Sequence, residues 1–119
     1  MKMRNFNLKE FDSPDVKGSG AKMDKCFLEM LDNARDIAGI PFNINSGYRT
    51  LEHNAKVGGV NSSSHTKGLA VDIDCSESRA RFLIVSALKD AGFTRIGISD
   101  SFIHVDNDTN KSQNVIWTY

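Results

Sequence analysis

The segment Leu69-Ala70-Val71-Asp72-Ile73-Asp74 decides how this chain is read. Leu69, Val71 and Ile73 fall on one face of an extended backbone, and Ala70, Asp72 and Asp74 fall on the other, the pattern of a half-buried strand. A second run, Phe102-Ile103-His104-Val105-Asp106, repeats the alternation, with Ile103 and Val105 opposite Phe102, His104 and Asp106. If the two strands pair with their apolar faces against helices, Asp72 and His104 emerge together on the outer face, where cross-strand Cβ atoms lie only ~5 Å apart. Just upstream, Ser63-Ser64-His65-Thr66-Lys67-Gly68 sets a histidine where a turn through Lys67 and Gly68 folds it back toward Asp72. Gly68 suits that turn because it accepts backbone conformations closed to other residues. Imidazole nitrogen and carboxylate oxygen are ordinary Zn²⁺ ligands, and three protein ligands leave a fourth position for reaction. His65, Asp72 and His104 are therefore the candidate metal ligands. A charged residue inside an apolar strand is costly unless it is paired or metal-bound, which adds weight to that reading.

Outward from these strands, apolar residues at Met23, Phe27, Met30, Leu31, Ala34 and Ile37 predict an amphipathic helix over 21–38, closed by Gly39 with Pro41 beyond. Alternation over 42–46 predicts a strand, and a turn at Gly47 leads through Tyr48 and Arg49 into a short helical stretch, Leu51 to Lys56. Residues 57–64, with two glycines and three consecutive serines, predict a surface loop. A second main helix is expected over 77–91, burying Phe82, Leu83, Val85, Ala87 and Leu88. Strands are expected over 93–98 and 115–117. These late strands are too close together for helical crossovers, which favours antiparallel pairing. The expectation is an α+β fold: one domain over 1–119, a small, mainly antiparallel sheet backed by two main helices, and a lead-in segment at 1–20.

The 119 residues carry 15 basic and 15 acidic side chains, so the formal charge is zero. That balance argues against electrostatic capture of nucleic acid or of an anionic membrane. No apolar run has the length of a signal-peptide core or a bilayer span, so synthesis in the cytoplasm without a signal peptide and no membrane insertion are expected. A monomer is also expected. Cys26 and Cys75 lack Cys-x-x-Cys spacing and are read as two buried thiols. Asp106-x-Asp108-x-Asn110 resembles the start of a calcium loop, but Lys111 and Trp117 stand where that loop needs Gly and Glu, so a calcium hand is rejected.

The motif Ser63-x-His65-x-x-Gly68-x-Ala70-x-Asp72, followed by a strand centred on His104, resembles the M15 metallopeptidases, which include zinc D-Ala-D-Ala carboxypeptidases and bacteriophage endolysins. Ser46-Gly47-Tyr48-Arg49, His53-Asn54 and Val57-Gly58-Gly59 are similar to the subgroup whose last motif reads His-Val-Asp. The likeness spans about residues 5–119. It implies Zn²⁺ held by His65, Asp72 and His104, and a fold of the kind shared with Hedgehog signalling domains. It implies a substrate role for Arg49, whose guanidinium suits a peptide carboxylate or carbonyl. Ser63 is similar to the family's serine, placed to bond in the site or orient the loop.

Many relatives have a glutamate shortly before the last histidine, whereas this chain offers Asp100, four residues upstream, and Asp106. Asp106 acts either as general base or as the group that fixes the His104 tautomer, with Asp100 as rival base. His53 is read as a partner behind the site or as an exposed histidine. The function these readings imply is a zinc peptidase that cleaves peptidoglycan stem or cross-link peptides, as an endopeptidase or D-Ala-D-Ala carboxypeptidase. It would act at the bacterial wall after release, or as a virion component. The alternative is a zinc-stabilised, non-catalytic wall-binding or virion module; a metal-free carbohydrate- or peptide-binding domain is the third reading.

Overall fold

Asp24 caps the first helix of the protein, accepting from the backbone N–H of Phe27, and Gly39 ends it in the left-handed conformation at φ 69°. This helix, α1 (Lys25–Ala38), is followed by strand β1 (Ile44–Ser46), helix α2 (Leu51–Lys56), strand β2 (Ala70–Asp74), helix α3 (Ser78–Asp90), and strands β3 (Arg95–Ile98), β4 (Phe102–Asp106) and β5 (Val115–Thr118). The structure is a computed structural model and describes residues 3–119. The sheet has five strands in the order β1-β2-β4-β3-β5. As expected, the fold is α+β with two main helices.

One pairing departs from expectation: β5 runs parallel to β3. The chain reverses after β4, so its next strand points the same way as β3. The far edge of β4 is already taken by β2, and the free edge of β3 is the place left for β5. Every other pairing is antiparallel.

Val71, Ile73, Ile103, Val105 and Ile96 turn to the inner face and join Phe27, Leu28, Leu31 and Ala34 of α1 with Ile84, Ala87 and Leu88 of α3 in one hydrophobic cluster. The predicted stripes shift slightly. Ile37 is 52% exposed and Phe82 71% exposed, while Leu28 and Ile84 take the core positions. Residues 21–24 do not belong to α1, because Ser19–Lys22 form a 3₁₀ turn ahead of the Asp24 cap. The lead-in is packed rather than peripheral, since Phe6 and Phe11 are buried in the same cluster. Cys75 is buried as expected, but Cys26 is exposed, and both are free thiols.

Candidate metal centre

Register puts the site together. Asp72 of β2 lies directly opposite His104 of β4. On either side the row continues, Ser46 of β1 opposite Asp72, Gly97 of β3 opposite His104, and Trp117 of β5 opposite Gly97. His65 arrives from outside the sheet. Ser63 caps the 3₁₀ turn Ser64–Lys67, its hydroxyl accepting from the His65 N–H, and Gly68 closes that turn at φ 71°. The His65, Asp72 and His104 ligand atoms lie within 4.8 Å of one another.

The details fit a metal. His65 Nδ1 meets the Gly47 carbonyl at 2.8 Å, which fixes the proton there and leaves Nε2 free to ligate, 3.4 Å from Asp72 Oδ1. Two donors bound ~2.1 Å from one tetrahedral zinc are ~3.4 Å apart, so this spacing suits the ion. His104 reverses the usage: Nδ1 faces Asp72 Oδ1 at 2.9 Å, and Nε2 faces Asp106 Oδ2 at 2.7 Å. Burial works against a charged imidazole at His104, but Asp106 and Asp72 outweigh it and raise its pKa. Burial also opposes ionisation of Asp72, yet its bonds to His104 and His65 hold the carboxyl well below the usual range. An ion among these atoms would take the place of the proton on His104 Nδ1, while the Asp106 bond keeps Nε2 protonated.

Asp106 is committed on both oxygens. Oδ2 serves His104, and Oδ1 accepts from Arg95 Nε at 2.7 Å and from the Asp108 N–H at 3.0 Å. Asp100 is not brought into the site. It sits exposed in the β3–β4 turn, its carboxylate taking the Ser99 hydroxyl, and does not line the cleft. It lies at the hairpin tip, outside β4, and offers no carboxylate to the cleft. His53 is also outside the metal group.

Arg49 lines the cleft with its Nη2 3.6 Å from Asp72 Oδ2, its Nε on Ser46 Oγ and its Nη1 on Asn54 Oδ1. Asn54 is buried and also donates to the Val60 carbonyl at 2.8 Å, tying the loop after α2 to Arg49. A Cβ on Gly59 would lie 2.0 Å from Asn54 Oδ1, so the second glycine of Val57-Gly58-Gly59 makes room for this amide.

Sequence reasoning overlooked two residues. The sequence gives Trp117 no role in the site, yet its ring lies 5.6 Å from that of His104, with the Arg95 guanidinium 4.9 Å over the indole. Gly97 is the signal: a glycine opposite a candidate ligand marks a close approach, and a Cβ there would meet the Trp117 ring at 2.6 Å. Trp117 is the sole tryptophan, so its fluorescence reports on the site. We expect a saturable emission change on zinc titration, and loss of most of that change in Gly97→Ala, which pushes the indole away. An unaltered titration in Gly97→Ala would contradict this placement.

The second residue is Asp108, 1% exposed, which accepts from Ser64 Oγ and Lys67 Nζ, each at 2.8 Å. It thereby clamps the turn that carries His65 to the loop that follows β4. Burial resists its charge, but Lys67, Ser64 and the Asn110 N–H bring its pKa down to about 2. A depressed carboxylate contributes stability that is full above its unfolded pKa and is lost as pH falls through the folded one. Asp108→Asn should therefore cost about 2 kcal/mol at pH 7, a deficit that closes between roughly pH 4 and pH 2. Urea unfolding of both proteins across that range checks it; a deficit independent of pH would assign the loss to packing.

The profile of the family described as peptidase M15 matches residues 5–106, which contain the whole triad. The chain belongs to the peptidase M15 family. Among curated proteins no match is found. An M15 peptidase with this His-Asp-His group has a donor set suited to a metal, opening onto a cleft of about 440 Å³.

Proposed function

We propose that this M15 protein is a zinc-dependent peptidase acting on peptidoglycan stem or cross-link peptides. The observation that carries the reading is the register of Asp72 opposite His104, with His65 Nε2 directed to the same carboxylate. Zinc bound by these three supplies Lewis acidity toward a scissile carbonyl and an attacking water.

The protein's own residues orient the ligands and place the substrate. Gly47 and Asp106 fix which nitrogen each histidine presents. Arg49, buttressed by Ser46 and Asn54, is assigned to the substrate carbonyl or carboxylate, and Ser63 to holding the His65 loop. Asp106 is assigned to positioning His104. The Tyr119 phenol lines the same cleft and, protonated at neutral pH as phenols are, offers a donor to a developing oxyanion. An endolysin-like role, as a released or virion-borne wall hydrolase, fits this substrate class. No helix among the described residues is long and apolar enough to cross a membrane.

A second reading, a zinc-stabilised wall-binding module without catalysis, is favoured by one observation. Of the carboxylates lining the cleft, Asp72 is a candidate ligand and Asp106 is fully engaged, so neither is free to carry a proton. Zinc-loaded protein incubated with purified peptidoglycan separates the two. New amino groups, abolished by chelation and restored by zinc, are expected; tight binding with no release would overturn the peptidase reading.

A further inference from the structure

Three cations line the cleft against two carboxylates. Arg49 is matched to Asp72 at 3.6 Å, and Arg95 to Asp106 at 2.7 Å. Lys111 is the cation left over. Its nearest carboxylate oxygen, Asp108 Oδ2, is 3.8 Å away and already accepts from Lys67 Nζ and Ser64 Oγ at 2.8 Å each. Lys67 does not line the cleft, whereas Lys111 does. The Lys111 ammonium gives one proton to Ser64 Oγ at 3.0 Å and turns another toward Asp108, which leaves a third for a ligand.

Lys111 is held in place before any ligand arrives. Its N–H bonds the Asp108 carbonyl, and its own carbonyl accepts from Gln113 Nε2 at 2.8 Å. Thr94 holds the other end of the Gln113 amide, and Arg95 holds the Ser112 carbonyl at 2.6 Å. Ser64 directly precedes His65, so the ammonium stands beside the loop that carries a candidate metal ligand. A half-buried ammonium short of a full counter-charge is costly, and an incoming carboxylate removes that cost through a charge-assisted bond.

We propose that Lys111 is a substrate anchor that selects peptides bearing a free carboxylate close to the bond presented to His65, Asp72 and His104. The inference rests on the peptidase reading and deepens it by naming the substrate class. In a stem peptide that carboxylate belongs either to the chain end or to the α-position of a γ-linked glutamyl residue.

The test uses one zinc-loaded protein set and one synthetic stem pentapeptide, L-Ala-γ-D-Glu-L-Lys-D-Ala-D-Ala, with each carboxylate in turn free or converted to its amide. The native protein should show a KM about tenfold lower for the acid than for the amide at one of the two positions, as a charge-assisted bond of ordinary strength gives. Lys111→Gln should raise KM for the acid about tenfold, leave the amide unchanged and barely move kcat. Lys111→Arg should keep most of the preference. Lys25→Gln, at an exposed lysine of α1 that does not line the cleft, should keep all of it. The anchor is overturned if Lys111→Gln retains the preference, if Lys25→Gln loses it equally, or if the native protein cleaves acids and amides alike; in each case the peptidase reading survives. Cleavage of no form by the native protein overturns the anchor, and it removes the peptidase reading as well when purified peptidoglycan is also left uncut.

Discussion

Asp72→Ala is expected to reduce zinc in the purified protein from roughly one ion per chain to near none, and to lower peptidase activity on the order of 10³-fold or more. Asp72 is the member of the triad that touches the other two: Oδ1 lies 2.9 Å from His104 Nδ1 and 3.4 Å from His65 Nε2. Its other oxygen faces Arg49. Removing it therefore deletes a ligand, leaves two histidines without a shared anion and frees the guanidinium assigned to substrate. The strand should survive, because Val71 and Ile73 hold it in the core from the other face. Asp106→Ala supplies the contrast. It spares the three candidate ligands and removes the carboxylate that holds His104 Nε2, Arg95 Nε and the Asp108 N–H, and loss of such an orienting group costs about 10- to 100-fold in affinity or activity. Elemental analysis with activity on the same samples checks both, and equal zinc in native and Asp72→Ala protein would remove Asp72 from the site.

The second large effect is on folding. Gly68→Ala should destabilise the protein by about 2–4 kcal/mol, since it combines left-handed strain with a steric conflict. The residue sits at φ 71°, and a Cβ there would come within 2.5 Å of the Lys22 carbonyl oxygen and 3.1 Å of the Met23 Cα. Both neighbours are backbone, so neither moves cheaply. The Gly68 carbonyl also accepts from the Asp24 N–H at 2.9 Å, next to the cap of α1. One methyl group thus pushes the His65 turn away from the start of the first helix. Gly39→Ala is the control: its φ is 69°, but a Cβ would meet nothing within 4 Å, so only the conformational part, about 1–2 kcal/mol, should appear. Denaturant midpoints of the two variants separate strain from collision, and similar losses in both would refute the collision.

The Asp72–His104 pair was legible because it depends on period two, while His65, off the sheet, was placed by the turn through Lys67 and Gly68. Once Val71 with Ile73 and Ile103 with Val105 are assigned to the core, Asp72 and His104 have one face left to them. What stayed hidden depends on contacts distant in sequence. Nothing local says that Asp108 reaches back to Ser64 and Lys67, more than forty positions away. Nor does the chain announce that β5 joins the free edge of β3, which is what carries Trp117 over Gly97 to His104. Phe82 misled because helical periodicity specifies a stripe and not its centre; the face chosen by α3 is set by Ile84, Ala87 and Leu88 packing on the sheet. Asp100 was drawn in by closeness in sequence to His104, but a hairpin sends it to the tip while His104 stays mid-strand.

The most direct test of the central claim, that His65, Asp72 and His104 hold zinc for peptide hydrolysis, is the mass of what a defined muropeptide becomes. Zinc-reconstituted protein is predicted to convert it into two fragments whose masses sum to the parent plus one water, with no conversion under chelation. An intact muropeptide beside protein that carries its full zinc would contradict the account.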